Sequence, residues 1–348
     1  MTDPVLVLAW LVFAHLMADF TFQNDWIAGT KSRRDGGAWM GLAVHGAIVG
    51  ICLIPVVFAW AGPGLAFLVV VTVSHVLIDR WKVGATRRAE ARALADAHRR
   101  SQFRPGTEGP GSGLGSAWTP VPAIHYILDQ GLHLLVTLIA WLVFLAAQPL
   151  QPGFVSVVDR LLDAWDRTAV HAVILTGVVA ASLLIANTKG AFFLVATLVH
   201  PREVVTGAPE PEDPSPAAAV AAVPPVPPPP VGYTFRLGPV VATMEPTVAA
   251  PVVVEPAPKS PTRAPQPRTP PARIGATIGV LERLLIVMFV LTGQLAAIGF
   301  VIAAKTLARF KQLDDRGFAE YYLLGTLASV SVALGTALLA AAALDTIR

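Results

Sequence analysis

Three apolar stretches of the chain each contain one histidine and one aspartate four residues apart. The pairs are His15–Asp19, His75–Asp79 and Asp129–His133. The histidine comes first in two of them and second in the third, as expected if the chain reverses direction between the stretches. An ionisable side chain in hydrocarbon costs about 2.5–3.5 kcal/mol on insertion scales, so several such groups in one chain indicate a shared polar site.

The spacing within each pair determines which chemistry is available. Residues four apart lie on the same face of a helix, so each pair presents an imidazole and a carboxylate together. These ligands suit a divalent ion such as Zn, Fe or Mn. They equally suit a proton relay. A single pair is as often structural, with the carboxylate orienting the ring, but three pairs favour a functional site.

The helical rise predicts that these groups share one layer. At 1.5 Å per residue, His15 lies about 13 Å from the cytoplasmic end of its span and Asp129 about 12 Å. His45 and His75 lie about 10 Å from theirs. The agreement requires only that all four stretches are spans, and it brings His45 into the predicted site.

We therefore predict a polar pocket with four kinds of residue. The predicted metal ligands are His15, His45, His75, Asp129 and His133. The predicted catalytic residues are Asp19, Asp79 and Lys82. Further predicted pocket residues are Gln23, Gln130 and His125. Arg80 and Lys82 are predicted to contact a headgroup at the mouth of the pocket.

The composition predicts the elements that must position these residues. Of 348 residues, 54% are hydrophobic and 14% are charged, whereas a soluble domain has about 25% charged residues. This favours an all-α, polytopic transmembrane helix bundle, because each span needs about 20 apolar residues. The seven predicted spans are 4–22, 38–61, 63–82, 121–148, 169–188, 277–304 and 319–344. Cys52 is the only cysteine, which excludes an internal disulfide and a cysteine-based metal site.

Two segments interrupt this pattern. Residues 80–104 are rich in arginine, with a surface helix expected over 85–100. Residues 203–272 are rich in proline and alanine, which predicts a disordered linker. The linker divides an N-terminal transmembrane bundle, 1–200, from a C-terminal transmembrane helical pair, 274–348. Its proline run is the expected contact for any soluble partner, although a passive spacer is the simpler interpretation.

Basic residues predict the orientation. The loop with Lys31 and Arg33 and the arginine-rich loop 83–118 are separated by two spans and so lie on one side. By the positive-inside rule that side is cytoplasmic and the N-terminus is outside. The linker is then cytoplasmic too. The positive-inside rule has one exception in this assignment. A single span over 277–304 would put the basic residues Lys305, Arg309 and Lys311 outside.

The polar residues also carry a family resemblance. The pattern His15-x3-Asp19-Phe20-x2-Gln23, His45, His75-x2-Ile78-Asp79-x2-Lys82 and Asp129-Gln130-x2-His133 resembles bacterial multi-pass membrane proteins of the domain of unknown function 3307, over about residues 5–140. The C-terminal stretch, with Gly279-Val280-Leu281-Glu282-Arg283 and Ala319-Glu320-Tyr321-Tyr322, resembles the tail of many members. The resemblance implies the bacterial inner membrane and supplies no reaction.

Three functions remain open at this stage. A membrane-embedded metal-dependent hydrolase or phosphatase would act on a lipid or other amphiphile at the cytoplasmic leaflet. A proton- or ion-coupled transporter would use the same layer as a relay. A membrane scaffold would recruit a partner through the linker, but it leaves the buried polar residues unexplained. Membrane lipids are the expected surroundings, and nothing in the pattern indicates nucleic acid.

Overall fold

The apolar stretches form helices that begin and end at local signals. The computed structural model describes residues 3–33, 35–103, 118–199, 233–237, 240–244 and 271–347. Helix α1 starts at Pro4, where the Asp3 side chain accepts a hydrogen bond from the amide of Val5. This is a typical N-cap, with proline at the first helical position, where no amide donor is needed. The predicted all-α fold is confirmed.

The first half of the chain contains the predicted site. Its helices are α1 (Pro4–Leu16), α2 (Asp25–Lys31), α3 (Gly37–Trp60), α4 (Gly62–Phe103) and α5 (Val121–Phe144). Helix α1 continues as a π-helical turn over Met17–Thr21. The surface helix expected over 85–100 is part of α4, which runs unbroken for 42 residues.

The second half packs against the first. Its helices are α6 (Pro152–Leu161), α7 (Arg167–Ile185), α8 (Ala191–Val199), α9 (Pro271–Leu291), α10 (Leu295–Ala308) and α11 (Arg316–Leu344). A second π-helical turn, Ala186–Gly190, joins α7 to α8, and short 3-10 turns occupy Phe310–Gln312 and Asp345–Ile347.

Six helical segments within the described residues are long and apolar enough to cross a membrane. They are Pro4–Thr21, Gly37–Trp60, Gly62–Ala97, Val121–Phe144, Arg167–Val199 and Arg316–Ile347. The prediction of one continuous span over 277–304 is wrong, because the chain breaks there into α9 and the shorter α10. The break is at Gly293, whose φ of +74° is a conformation that glycine adopts without strain.

Helix α10 folds back along α9. Gln294 donates its amide to the carbonyl of Phe289 at 2.7 Å, which closes the turn. Lys305 near the end of α10 pairs with Glu282 in the middle of α9 at 2.6 Å. The two helices are therefore antiparallel, and the end of α10 returns towards the start of α9.

Two apolar clusters hold the helices together. One joins α1, α3, α4 and α5, lies mostly on one side of the predicted polar layer, and includes Leu11, Leu53 and Phe67. The other joins α7, α9, α10 and α11, with Leu175, Ile286 and Ala337. Contacts near the chain's N-terminus connect the two halves, since His171 of α7 lies 2.7 Å from the carboxylate of Asp3.

Residues 1–202 and 271–348 form one compact unit, and 203–270 form another. The predicted N-terminal bundle and C-terminal helices thus belong to the same unit. Most of the predicted disordered linker lies outside the described residues. Its described part is an antiparallel strand pair, β1 (Tyr233–Leu237) and β2 (Val240–Met244), which the composition did not indicate.

Candidate metal centre

The histidine and aspartate pairs converge between four helices. His45 of α3 and His75 of α4 bring their Nε2 atoms to 3.0 Å from each other. Oδ1 of Asp19 lies 3.2 Å from Nε2 of His45 and 3.1 Å from Nε2 of His75. Three potential ligand atoms from three helices therefore form a nearly equilateral triangle, which we call the ligand triangle.

Asp19 reaches the triangle from the first π-helical turn. A π turn is wider than an α turn and is common at functional sites. It shifts Asp19 from the ideal position one turn beyond His15, and the two side chains are 3.8 Å apart. A regular helix would place Gln23 on the same face as His15 and Asp19, but the helix ends at Thr21. Gln23 reaches the site from the connection to α2.

Helix α5 supplies the opposite wall of the layer. The ring of His133 stacks on that of His75, with centroids 3.9 Å apart and planes at 15°. Gln130 donates to Oδ2 of Asp19 at 3.0 Å and to Oδ2 of Asp129 at 3.1 Å. Its amide oxygen lies 3.2 Å from Nε2 of His15. Gln130 therefore connects the pairs of α1 and α5.

Two lysines neutralise two of the three carboxylates. Nζ of Lys82 lies 2.7 Å from Oδ2 of Asp129 and 3.4 Å from Oδ1 of Asp79. Nζ of Lys31 lies 2.6 Å from Oδ2 of Asp79 and donates to Oε1 of Gln23 at the same distance. Asp19 has no lysine partner among the described residues, and it is the carboxylate of the ligand triangle.

Lys31 is a residue of the layer that the sequence pattern does not indicate. It lies in a basic loop, and by its pattern this loop indicates only the orientation of the chain. The fold buries this lysine because α2 turns back against α3 at Gly41, where an added Cβ would lie 2.6 Å from the amide nitrogen of Lys31. The only signal in the sequence is Gly41, one turn before His45 in α3. A glycine there indicates a close approach to another segment, but it does not show that the segment is the one with Lys31.

Two predicted residues make their contacts elsewhere. Nδ1 of His125 lies 3.2 Å from the hydroxyl of Thr86, and its ring meets that of Trp81 edge-on. The guanidinium of Arg80 is exposed and lies 5.4 Å from the ring centre of Trp39. Neither joins the described contacts of the layer.

The layer is closed from solvent and short of hydrogen bonds. Its histidines and aspartates are each at most 8% exposed. Four buried polar atoms of the layer have no hydrogen-bond partner among the residues that the structure describes: Asp19 Oδ1, His45 Nδ1, Asp129 Oδ1 and His133 Nδ1. Native proteins leave few such atoms without a partner, and an ion is one explanation. Three sets of these residues have the spacing of metal ligands: His15, His75 and His133; Asp19, His45 and His75; and Asp19, Asp129 and His133.

The site lies within the part of the chain that a family model recognises. Residues 7–162 match the family described as Protein of unknown function (DUF3307). This stretch is similar to that family over 156 of the 348 residues. It contains every residue of the layer, from His15 to His133, and confirms the resemblance seen in the polar pattern. No curated protein gives a significant match, and no solved structure does either.

The match leaves part of the chain outside. It begins within α1 and ends at residue 162, after α6, so α7 to α11 lie outside the matched stretch. The resemblance of the C-terminal stretch to the family's tail stays a prediction. The omitted helices nevertheless touch the matched stretch, since Tyr126 of α5 donates to the carbonyl of Gly190 at 3.0 Å.

Proposed function

We propose that this protein is a metal-dependent enzyme of the bacterial inner membrane, of hydrolase or phosphatase type. The observation that carries the proposal is the ligand triangle of Asp19, His45 and His75. Ligands bonded to one ion at about 2.1 Å and about 90–109° apart are themselves about 3.0–3.4 Å apart. The measured separations of 3.0, 3.1 and 3.2 Å lie in this range.

Hydrogen bonds alone do not account for the triangle. Two ring nitrogens lie within 3.2 Å of Oδ1 of Asp19, yet that oxygen has no hydrogen bond of acceptable geometry. Two ring nitrogens that approach one carboxylate oxygen this closely without a well-directed hydrogen bond suit a shared cation. The formal charge of the layer also favours a bound cation. Its three aspartates and two lysines, with neutral imidazoles, leave one net negative charge. A divalent ion held there would act as a Lewis acid.

The chain's own residues would then bind and orient the substrate. Lys82 is the site cation nearest solvent, with a quarter of its side chain exposed. It suits a phosphate or carboxylate at the mouth of the layer. Around this mouth, Phe22, Trp26, Trp39 and Trp81 are exposed, as aromatic residues are at a membrane interface. An amphiphile whose polar group reaches the layer is the substrate class that fits both features.

The positions of tryptophans and charges support a cytoplasmic mouth. Trp39 and Trp60 bound α3 and lie 21 residues apart, about 31 Å, which matches the hydrocarbon thickness. The end with Trp39 also has the basic residues Lys31 and Arg33, and the opposite end has Asp159, Asp163 and Asp166. Because α10 folds back, Lys305, Arg309 and Lys311 join the basic end. The opposite loop also contains Arg160 and Arg167, but its aspartates outnumber them and Arg167 pairs with Asp159. The excess of basic residues therefore lies at the end with Trp39, as the positive-inside rule expects of a cytoplasmic side.

A proton relay is the second candidate, and the hydrogen bond between His45 and His75 favours it. A relay for transport needs a path on both sides of the layer. The apolar cluster around Leu11, Leu53 and Phe67 fills the bundle on the far side. This one-sided arrangement supports the enzyme over the transporter. A scaffold function would depend on the linker, most of which lies outside the described residues.

Metal content tests the proposal directly. The purified protein in detergent is loaded with Zn²⁺, Mn²⁺ or Fe²⁺, washed and analysed by mass spectrometry for bound metal. Wild type should retain metal, and His45→Ala and His75→Ala should lose it. His125→Ala is the matched control, because it removes an imidazole of α5 outside the layer. A folded wild type that retains none of these ions contradicts the proposal.

Activity is tested on the loaded protein in lipid vesicles. Release of inorganic phosphate from phosphorylated lipids should require the metal and should be lost in His75→Ala. Release that is equal in wild type and His75→Ala would assign the activity to a contaminant.

A further inference from the structure

We infer that the layer holds a second metal ion, next to the first and joined to it by Asp19. Its ligands are Oδ1 of Asp129, Nδ1 of His133 and the carboxylate of Asp19. The inference rests on the proposed function and extends it to a two-ion centre. It starts from buried lone pairs that the ligand triangle does not use.

His133 has the arrangement of a metal ligand. Its Nε2 lies 3.4 Å from the backbone carbonyl of His75, so the ring proton belongs on Nε2. Nδ1 then carries a lone pair, and this buried atom has no hydrogen-bond partner. Metal-binding histidines usually donate the other ring N–H to a carbonyl or carboxylate in this way.

Asp129 offers the second lone pair. Its Oδ2 accepts hydrogen bonds from Lys82 at 2.7 Å and from Gln130 at 3.1 Å. Its Oδ1 accepts none, although the residue is fully buried. A buried carboxylate oxygen without a donor is unfavourable. One oxygen of Asp129 is thus held in place by neighbours and the other is free to bind an ion.

Asp19 belongs to both ligand sets. It forms one set with His45 and His75 and the other with Asp129 and His133, and in each set one nitrogen or oxygen of every residue lies within 4.8 Å of the others. Nδ1 of His133 lies 4.0 Å from Oδ2 of Asp129. Ions that share a bridging group in catalytic centres are about 3.5–4 Å apart. A carboxylate with two oxygens is the ordinary bridge at that separation. Asp19 is suited to this role because no lysine occupies it.

The charges identify what accompanies the second ion. One divalent ion changes the formal charge of the layer from −1 to +1, and two change it to +3. A positive charge of that size in a closed, largely apolar bundle is unfavourable unless anions enter with it. Two-ion centres commonly bind phosphate oxygens between the ions. The second ion therefore implies a substrate that carries a phosphate group.

Ion stoichiometry with and without inorganic phosphate tests this inference. Mn²⁺ is titrated into the full-length protein in detergent, bound metal is counted, and electron paramagnetic resonance reports whether the ions are coupled. Wild type should bind one ion alone and two coupled ions with phosphate. Asp129→Asn and His133→Phe should bind one uncoupled ion in both conditions, while His125→Ala should behave as wild type.

The possible failures are distinguishable. A wild type that binds one ion with phosphate present overturns the second site and leaves the proposed function intact. Two coupled ions in Asp129→Asn would also overturn it. A wild type that binds none overturns both. Each variant is compared with wild type in unfolding temperature and gel-filtration profile. If either Asp129→Asn or His133→Phe fails to fold, the test uses the other of these two variants.

Discussion

The ammonium group of Lys31 and the carboxylate of Asp79 lie 2.6 Å apart, although 48 residues separate them in the chain. Both side chains are almost completely buried, at 7% and 1% exposure. The pair joins a seven-residue surface helix to the centre of the layer. Because the buried charge of Lys31 is neutralised by Asp79, α2 is held against the bundle as part of the site.

Replacement of Lys31 by methionine should destabilise the protein by about 3 kcal/mol, since loss of one partner leaves a buried charge poorly compensated. Lys82 would remain 3.4 Å from Asp79 and limit the loss. Chemical unfolding in detergent, followed by tryptophan fluorescence, measures the change. Arg33→Met is the control, because its ion pair with Asp35 is exposed. Equal stability of the two variants would contradict the buried pair.

Gly41→Ala tests how closely α2 must approach α3. The new Cβ would lie 2.6 Å from the amide nitrogen of Lys31 and 2.9 Å from the carbonyl carbon of Thr30. The helices would have to separate, at a cost of about 1–3 kcal/mol, and metal retention should fall. Gly131→Ala is the control, since nothing lies within 4 Å of its added Cβ. The close approach is refuted if both variants unfold at the same temperature.

The antiparallel arrangement of α9 and α10 predicts which side each turn occupies. In a Cys52→Ser background, single cysteines at Gln312 and Ser32 should react with an impermeant maleimide from the same side of sealed vesicles. Cysteines at Gln294 and Ser156 should react from the other side. If the cysteine at position 312 reacts from the same side as the cysteine at position 156, the chain crosses the membrane once over 277–304 and the antiparallel arrangement is wrong.

Arg283→Met should destabilise the contact between α9 and the second π-helical turn. Nε of Arg283 donates to the carbonyl of Asn187 at 2.6 Å, and Nη1 donates to the hydroxyl of Ser329 at 3.1 Å. Without these donors the buried carbonyl loses its partner, for a loss of about 1–3 kcal/mol. Thermal unfolding in detergent measures this loss. Arg316→Met removes an exposed arginine and should have no comparable effect.

The convergence of the polar layer was predictable because it depends on regular geometry. His45 and His75 lie at matched depths on neighbouring spans, and a constant rise per residue is enough to bring them together. The same regularity predicted the helical fold and most of its spans. It is also the reason why the prediction failed where a helix departs from the regular form.

The departures have individual causes. The π-helical turn at Asp19 changes the angular spacing of the side chains, and the turn at Gly293 reverses the chain. Both lie within mostly apolar runs, whose average hydrophobicity does not indicate either departure. Lys31 was missed for a different reason. Its burial depends on a contact between α2 and Gly41, and long-range packing of this kind is not encoded in the local pattern of either segment.

Helix α4 has a mechanical consequence. It is unbroken over Gly62–Phe103, about 63 Å, and about half of that length follows Lys82. His75, Asp79 and Lys82 therefore lie on the same rod as the arginine-rich segment beyond them. A continuous helix transmits rotation and tilt along its length, so a force on that outer segment would act as on a lever arm. The ligands of the layer would move with it, without any hinge between them.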